Sequence, residues 1–328
     1  MRRLGIVCAA VLFGTACGLP FGGPKLASTA DLINGAADTI SNATGLTVTG
    51  TFAVGADNYS FNMDLAPPDA AHATVTKNQL VIEITQIGDK VYFHSPDALR
   101  EGFGSSDVGQ QLARGLADHW YTTKDAGVVD LTSFSKPSSV KANFLTTLDV
   151  SRKDNLDSNG VKVAELSTAD YKAYITEASP HRLLVAETLP GKSIEILSNL
   201  KFAFTNYNEK FDIQAPTDVI DFDDHNTWPP FYQRVSVSAS RCSTPCTLSA
   251  TFQNYGGIAK APAASYVLFT LSRTSGGGGD LGKCTKSISA NVGYNKRVTV
   301  SCTIGGATWA NYSGTYYYNA IVHNPAYE

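Results

Sequence analysis

The sequence predicts an α+β chain in two parts: an antiparallel half-barrel sheet wrapped around helices over residues 28–224, then an all-β sandwich over 225–328. Three observations carry this. Strand-like stretches in the first part alternate apolar and polar residues, so each presents one greasy and one wet face, the pattern of an antiparallel sheet covered on a single side. The middle of that part changes to a helical period. The final part differs in charge and breaks into short strands between Gly, Asn and Pro turns.

Taken in order, residues 1–16 read as an export signal: Arg2 and Arg3 are a positive start, Leu4 to Phe13 an apolar run too short to span a bilayer, and Gly14-Thr15-Ala16 a small-residue site. A cysteine directly after such a site resembles a bacterial lipoprotein signal. That resemblance implies that Cys17 is diacylated and becomes the new N-terminus, with residues 17–27 as acylated end and Gly/Pro linker. Two acyl chains, at roughly 0.8 kcal/mol per buried methylene, hold a protein on a membrane where one is marginal. The chain is then expected on the extracytoplasmic face of the cell membrane. An ordinary secretory signal cut nearby is the alternative, and it leaves Cys17 free.

The first domain opens with a helix: Ser28 can cap it, Asp31 suits its first turn, and Leu32, Ile33, Ala36, Ala37 and Ile40 share a face before Gly45. Strands follow at Leu46–Val54, Tyr59–Leu65, Leu80–Ile84, Leu183–Val185 and Ile194–Phe204. Between them, Val108, Leu112 and Leu116 recur every four residues, and Leu131, Phe134, Val140, Phe144 and Leu145 fall in segments broken by Pro137. These helical pieces are expected to cover the sheet. If they fill its concave side only partly, a cavity remains.

At the seam DDHNTWPP the charge changes sign. Residues 17–225 hold 27 acidic and 16 basic residues, a net −11, whereas 226–328 hold eight basic residues against Asp280 and Glu328, a net +6. Roughly seven short strands after the seam predict an immunoglobulin-like sandwich. Once Cys8 leaves with the signal and Cys17 carries lipid, Cys242, Cys246, Cys284 and Cys302 remain, an even set in an exported chain. Pairing Cys242 with Cys246 and Cys284 with Cys302 is preferred, the second expected to staple neighbouring strands. A zinc site is the rival, although the spacings fit zinc pairs poorly.

Phe52, Phe61, Met63, Ile82, Ile84, Phe93, Val185, Ile196, Phe202 and Phe204 are the candidates for an apolar ligand site, against the plainer reading that they form a packed core. No enzyme is expected: the six histidines lack metal spacing, GFGSSD at 102–107 is not a nucleophile elbow and reads as a loop before a helix, and the glycines at 276–279 lack what a phosphate cradle needs. No cofactor or metal is expected. The strings GLTVTGTFAV, KVYFHS, HWYTT and the closing KFAFTNYNEKFDIQAPTDVIDF resemble the LolA/LprG-type lipoproteins over about 200 residues. This resemblance implies a half-barrel whose concave face receives the acyl chains of a lipid or glycolipid. TFQNYGGIAKAPAASYVLFTL and GTYYYNAIV resemble CARDB- or fibronectin-like surface modules. The basic second domain, with Tyr294, Tyr312, Tyr316, Tyr317 and Tyr318 among its cations, suits an anionic envelope polymer; nucleic acid is not an expected partner. A surface interaction protein with a filled half-barrel is the competing function.

Overall fold

The computed structural model describes residues 26–124, 130–145, 150–194, 197–240, 242–289 and 291–328. The leader with Cys17, and Ile196, lie outside them. Thirteen strands form one sheet: β1 (Leu46–Val54), β2 (Asp57–Ala66), β3 (Ala70–Lys77), β4 (Leu80–Ile87), β5 (Lys90–His94), β6 (Trp120–Thr122), β7 (Ser151–Ser158), β8 (Val161–Ser167), β9 (Tyr171–Thr176), β10 (Leu183–Thr188), β11 (Ser193–Ile194), β12 (Leu197–Thr205) and β13 (Val219–Asp221). The order across it is β13-β6-β5-β4-β3-β2-β1-β12-β10-β9-β8-β7, with β11 beside β12. Pairing is antiparallel except between β13 and β6, which departs from the all-antiparallel expectation. After β12, in mid-sheet, residues 206–218 carry the chain back to the far edge, where it arrives running with β6.

Four helices accompany this sheet: α1 (Thr29–Ser41), α2 (Pro96–Phe103), α3 (Asp107–Leu116) and α4 (Pro137–Phe144). At α1 the Ser28 hydroxyl accepts from Asp31 N–H at 3.1 Å and the Asp31 carboxylate accepts from Ser28 N–H at 3.2 Å, a reciprocal cap that satisfies two otherwise orphaned donors. Its predicted face is buried against the sheet. One core joins that face to Leu46, Val48, Met63, Leu65, Ile84, Leu166, Ile175, Leu183, Phe202 and Phe204, and is closed by Leu131 of a 3-10 turn (Leu131–Ser135), Val140 of α4 and Leu145 after it. A large open sheet covered on one face by short helical pieces fits a half-barrel.

The middle helices behave differently from expectation. Of GFGSSD only Gly104-Ser105-Ser106 is loop, since Gly102 and Phe103 end α2 and Asp107 opens α3, where Ser106 accepts from Gly109 N–H at 3.1 Å. α3 turns Gly109, Ala113 and Leu116 inward and leaves Val108 exposed. Together α2 and α3 leave the sheet core to other elements and build a separate cluster, in which Leu99, Ala113 and Leu116 meet Ile220, Trp228, Phe231 and Tyr327. Trp228 donates its indole N–H to Asp221 O at 3.0 Å, and the Tyr327 hydroxyl donates to Pro229 O at 2.9 Å. The end of the chain is thereby wedged between the two halves of the molecule.

Beyond the seam, β14 (Tyr232–Ser240), β15 (Cys246–Asn254) and β18 (Arg297–Ile304) form one sheet; β16 (Tyr266–Ser272), β17 (Asp280–Ser287) and β19 (Tyr317–His323) form another. Both contribute to one core around Leu248, Phe252, Phe269 and Leu271. Among the described residues these are six strands, where roughly seven were expected. A short helix, α5 (Ala307–Ala310), brings Trp309 against this core. Cys242 pairs with Cys246 and Cys284 with Cys302. The second bridge joins β17 to β18, which belong to opposite sheets, so it ties the two layers together and does not staple neighbours within one.

Candidate functional site

Period-two alternation brings most of the predicted apolar residues to the inner face of the large sheet. Met63, Ile84, Phe202 and Phe204 are buried there; Phe52, Phe61, Ile82 and Phe93 are partly buried against the same core. Gly50 lies opposite both Phe61 and Phe202 in the strand register, and a Cβ at Gly50 would sit 2.4 Å from Phe202 and 2.6 Å from Phe61. The missing side chain lets the two rings meet edge-on over the β1 backbone, centroids 5.0 Å apart. Phe52 stacks on Tyr59 at 4.8 Å beside them. From the cover, Phe134 of the 3-10 turn reaches down to Phe61 at 6.2 Å and Phe202 at 5.9 Å. Such edge-to-face pairs add about 0.5–1.5 kcal/mol beyond area burial.

Val185 is not part of this surface. A bulge in the β9–β10 pairing between Leu183 and Val185 offsets the alternation, so Leu183 and Ala186 face the core while Val185, opposite Ala203, takes the other side of the sheet. Ile196 lies outside the described residues.

How much room the cover leaves differs along the sheet. Between α1 and β8–β9 the void bounded by Ile33, Leu145, Leu166 and Ala173 is about 10 Å³, scarcely the space of one water. At the end where β4 runs into β5, a cavity of about 660 Å³ opens. Its inner wall continues the apolar face: Gln86 and Val91 are paired two residues beyond the Ile84–Phe93 pair and point the same way. Gln86, 6% exposed, accepts from Leu131 N–H at 2.9 Å and donates to Gly88 O at 3.1 Å, stitching the covering turn to the sheet. The outer wall is polar, with Asp69, Asp89, Asp130, Lys90, Lys124 and Lys136 among its side chains. Lys136 bonds Asp130 at 2.5 Å and, with Thr132 at 2.6 Å, holds that carboxyl below its ordinary pKa. Sequence reading missed this wall because the cavity's lining comes from five separate segments of the chain. A second open space, about 320 Å³, adjoins Phe52 and Tyr59 at the opposite end of the strands.

Among the described residues no group of three or more His, Cys, Asp or Glu side chains could hold a metal, and no helix is long and apolar enough to cross a membrane. The C-terminal cations stand largely apart from acids: among the described residues Lys260, Lys283, Lys286 and Lys296 make no ion pair, and Arg273 lies over the Tyr312 ring at 5.4 Å.

No protein-family model matches the chain, and no curated protein matches it. Among solved structures it is similar to the lipoprotein LppX of Mycobacterium tuberculosis, with 11% identity and a TM-score of 0.34 over 57% of this chain and 98% of that one. LprF from Mycobacterium bovis gives 11% and 0.34 over 57% and 96%. MucB in complex with MucA(peri) gives 11% and 0.30 over 76% and 90%. At these identities and scores, neither family nor function passes from those proteins to this chain.

Proposed function

We propose that this chain is an exported lipoprotein, held at the extracytoplasmic face of the membrane by acylated Cys17, whose first domain binds a lipid or glycolipid and whose second domain, an immunoglobulin-type sandwich, presents it at the envelope. It acts by binding and, by handing its cargo on, transfer; no step of catalysis is assigned to it. The single observation that carries this reading is the inner face itself: Phe52, Phe61, Met63, Ile82, Ile84, Phe93, Phe202 and Phe204 on one side of an open sheet, covered by short helical pieces in place of a second sheet. An acyl chain enters at the cavity beside Val91 and displaces Phe134 and α4. Each buried methylene contributes about 0.8 kcal/mol, so a long chain offsets the loss of that cover. Native mass spectrometry of protein from its own host should show a co-purified lipid. Ligand-free protein that also takes up no fluorescent fatty-acyl probe overturns the reading.

One observation favours a second reading, a surface interaction or structural lipoprotein with a filled core: the 10 Å³ void beneath α1. Phe134→Ala separates the two. Acyl-probe uptake rises if the ring competes with ligand, and only thermal stability falls if the ring is permanent core. In either case the unpaired lysines of the sandwich support an anionic envelope polymer as partner.

A further inference from the structure

We propose that the 660 Å³ cavity at the polar end of the large sheet is a binding site for an uncharged, polyhydroxylated ligand, a sugar. The site shares the cavity beside Val91 with the acyl-binding reading but rests on its polar lining and does not require that reading.

The lining decides the chemistry. Of its charged side chains, Asp130 is neutralised by Lys136, Asp223 accepts from Lys124 N–H at 2.6 Å, and Asp221 accepts from Asp223 N–H at 2.9 Å. Left without a partner among the described residues are the carboxylates of Asp69 and Asp89 and the ammonium groups of Lys90 and Lys124, all exposed. Two free acceptors and two free donors face the same space, while Asp221 and Asp223 keep their charge behind backbone N–H bonds, so the lining holds five carboxylates against three ammonium groups and disfavours an anion. A sugar hydroxyl both donates and accepts, and a set of neighbouring hydroxyls can satisfy carboxylate and ammonium at once. The floor beneath them is fixed in advance: Gln86 and Thr132, 6% and 7% exposed, are locked by the bonds to Leu131, Gly88 and Asp130. The volume falls within the range of small-molecule sites.

The test is an amide-shift titration of the full ¹⁵N-labelled chain with glucose, mannose, maltose and trehalose, read at Gly88, Lys90, Thr122 and Thr132. At least one sugar is expected to give saturable shifts confined to these residues. The exposed pair Asp89→Asn with Lys90→Gln should weaken that affinity at least about tenfold, as removal of charged hydrogen-bond partners does, while the melting temperature is unchanged, as for exposed side chains. Decyl maltoside identifies the source: affinity equal to that of maltose assigns a free saccharide, and markedly tighter binding assigns the sugar of a glycolipid. The proposal is overturned if no sugar moves these amides, if the variant binds sugar as well as the parent chain, or if inorganic phosphate or spermidine saturates the same shifts.

Discussion

Gly115 on α3 sets two effects of known size against each other. In a helix interior, Gly→Ala stabilises by about 1 kcal/mol because the backbone loses less freedom on folding. Here the new methyl would lie 2.1 Å from Cδ1 of Tyr327 and 2.6 Å from the carbonyl oxygen of Ala326. Tyr327 is 2% exposed and pinned through its hydroxyl to Pro229, so its ring cannot swing clear cheaply. Overpacking of this kind costs about 1–3 kcal/mol, more where backbone must shift. Gly115→Ala is therefore expected to destabilise the chain by on the order of 2 kcal/mol net. Urea unfolding followed by tryptophan fluorescence reads it, since Trp228 sits in the same cluster. In a Tyr327→Ala background the ring clash is gone but the Ala326 carbonyl oxygen still lies 2.6 Å from the new methyl, so Gly115→Ala should cost less than in the parent chain. A stabilising Gly115→Ala in the otherwise unchanged chain would refute the wedge between the domains.

Cys17→Ser is expected to move the protein from the membrane fraction to the soluble one; retention in membranes would end the lipid-anchor reading. Replacing Cys284 and Cys302 by Ala removes a crosslink across 18 residues of sequence and should cost about 3 kcal/mol, seen as earlier melting of the sandwich. An unchanged melt would mean the bridge does not form. Hydrogen bonds from Lys77 to Asp57 and from Lys136 to Asp130 lower those carboxyl pKa values in the folded chain. Their stabilisation is thus complete above the ordinary carboxylate pKa of about 4 and fades as pH falls through the lowered values. Asp57→Asn with Asp130→Asn should flatten the acid limb of a melting-temperature profile, and an unaltered limb would contradict this.

Local chemistry made much of the fold legible. The Ser28 cap, the apolar stripe of α1 and the break at Pro137 depend on neighbours within a few residues, and each stands as read. Strand β3 escaped because its inward positions are the small Ala71 and Ala73, and β7 because Arg152 is polar and a register shift before Leu156 breaks its alternation. Val185 was misplaced because a bulge shifts the alternation without any Gly or Pro to mark it. The cluster joining Leu99, Leu116, Trp228 and Tyr327 was invisible, since each residue alone looks like any other apolar one and their meeting is set by tertiary folding. The polar cavity escaped for the same reason.

The two margins of the large sheet carry different attachments. Arg152 at β7 donates to Ala27 O at 2.7 Å and so fastens the segment before α1 to one margin, while β13, at the other, leads through Trp228 into the sandwich. With neighbouring strands about 4.8 Å apart, the path between those margins, followed along the sheet, is on the order of 50 Å. If Cys17 is the lipid anchor, the sheet would serve as a spacer between the membrane and the positively charged module.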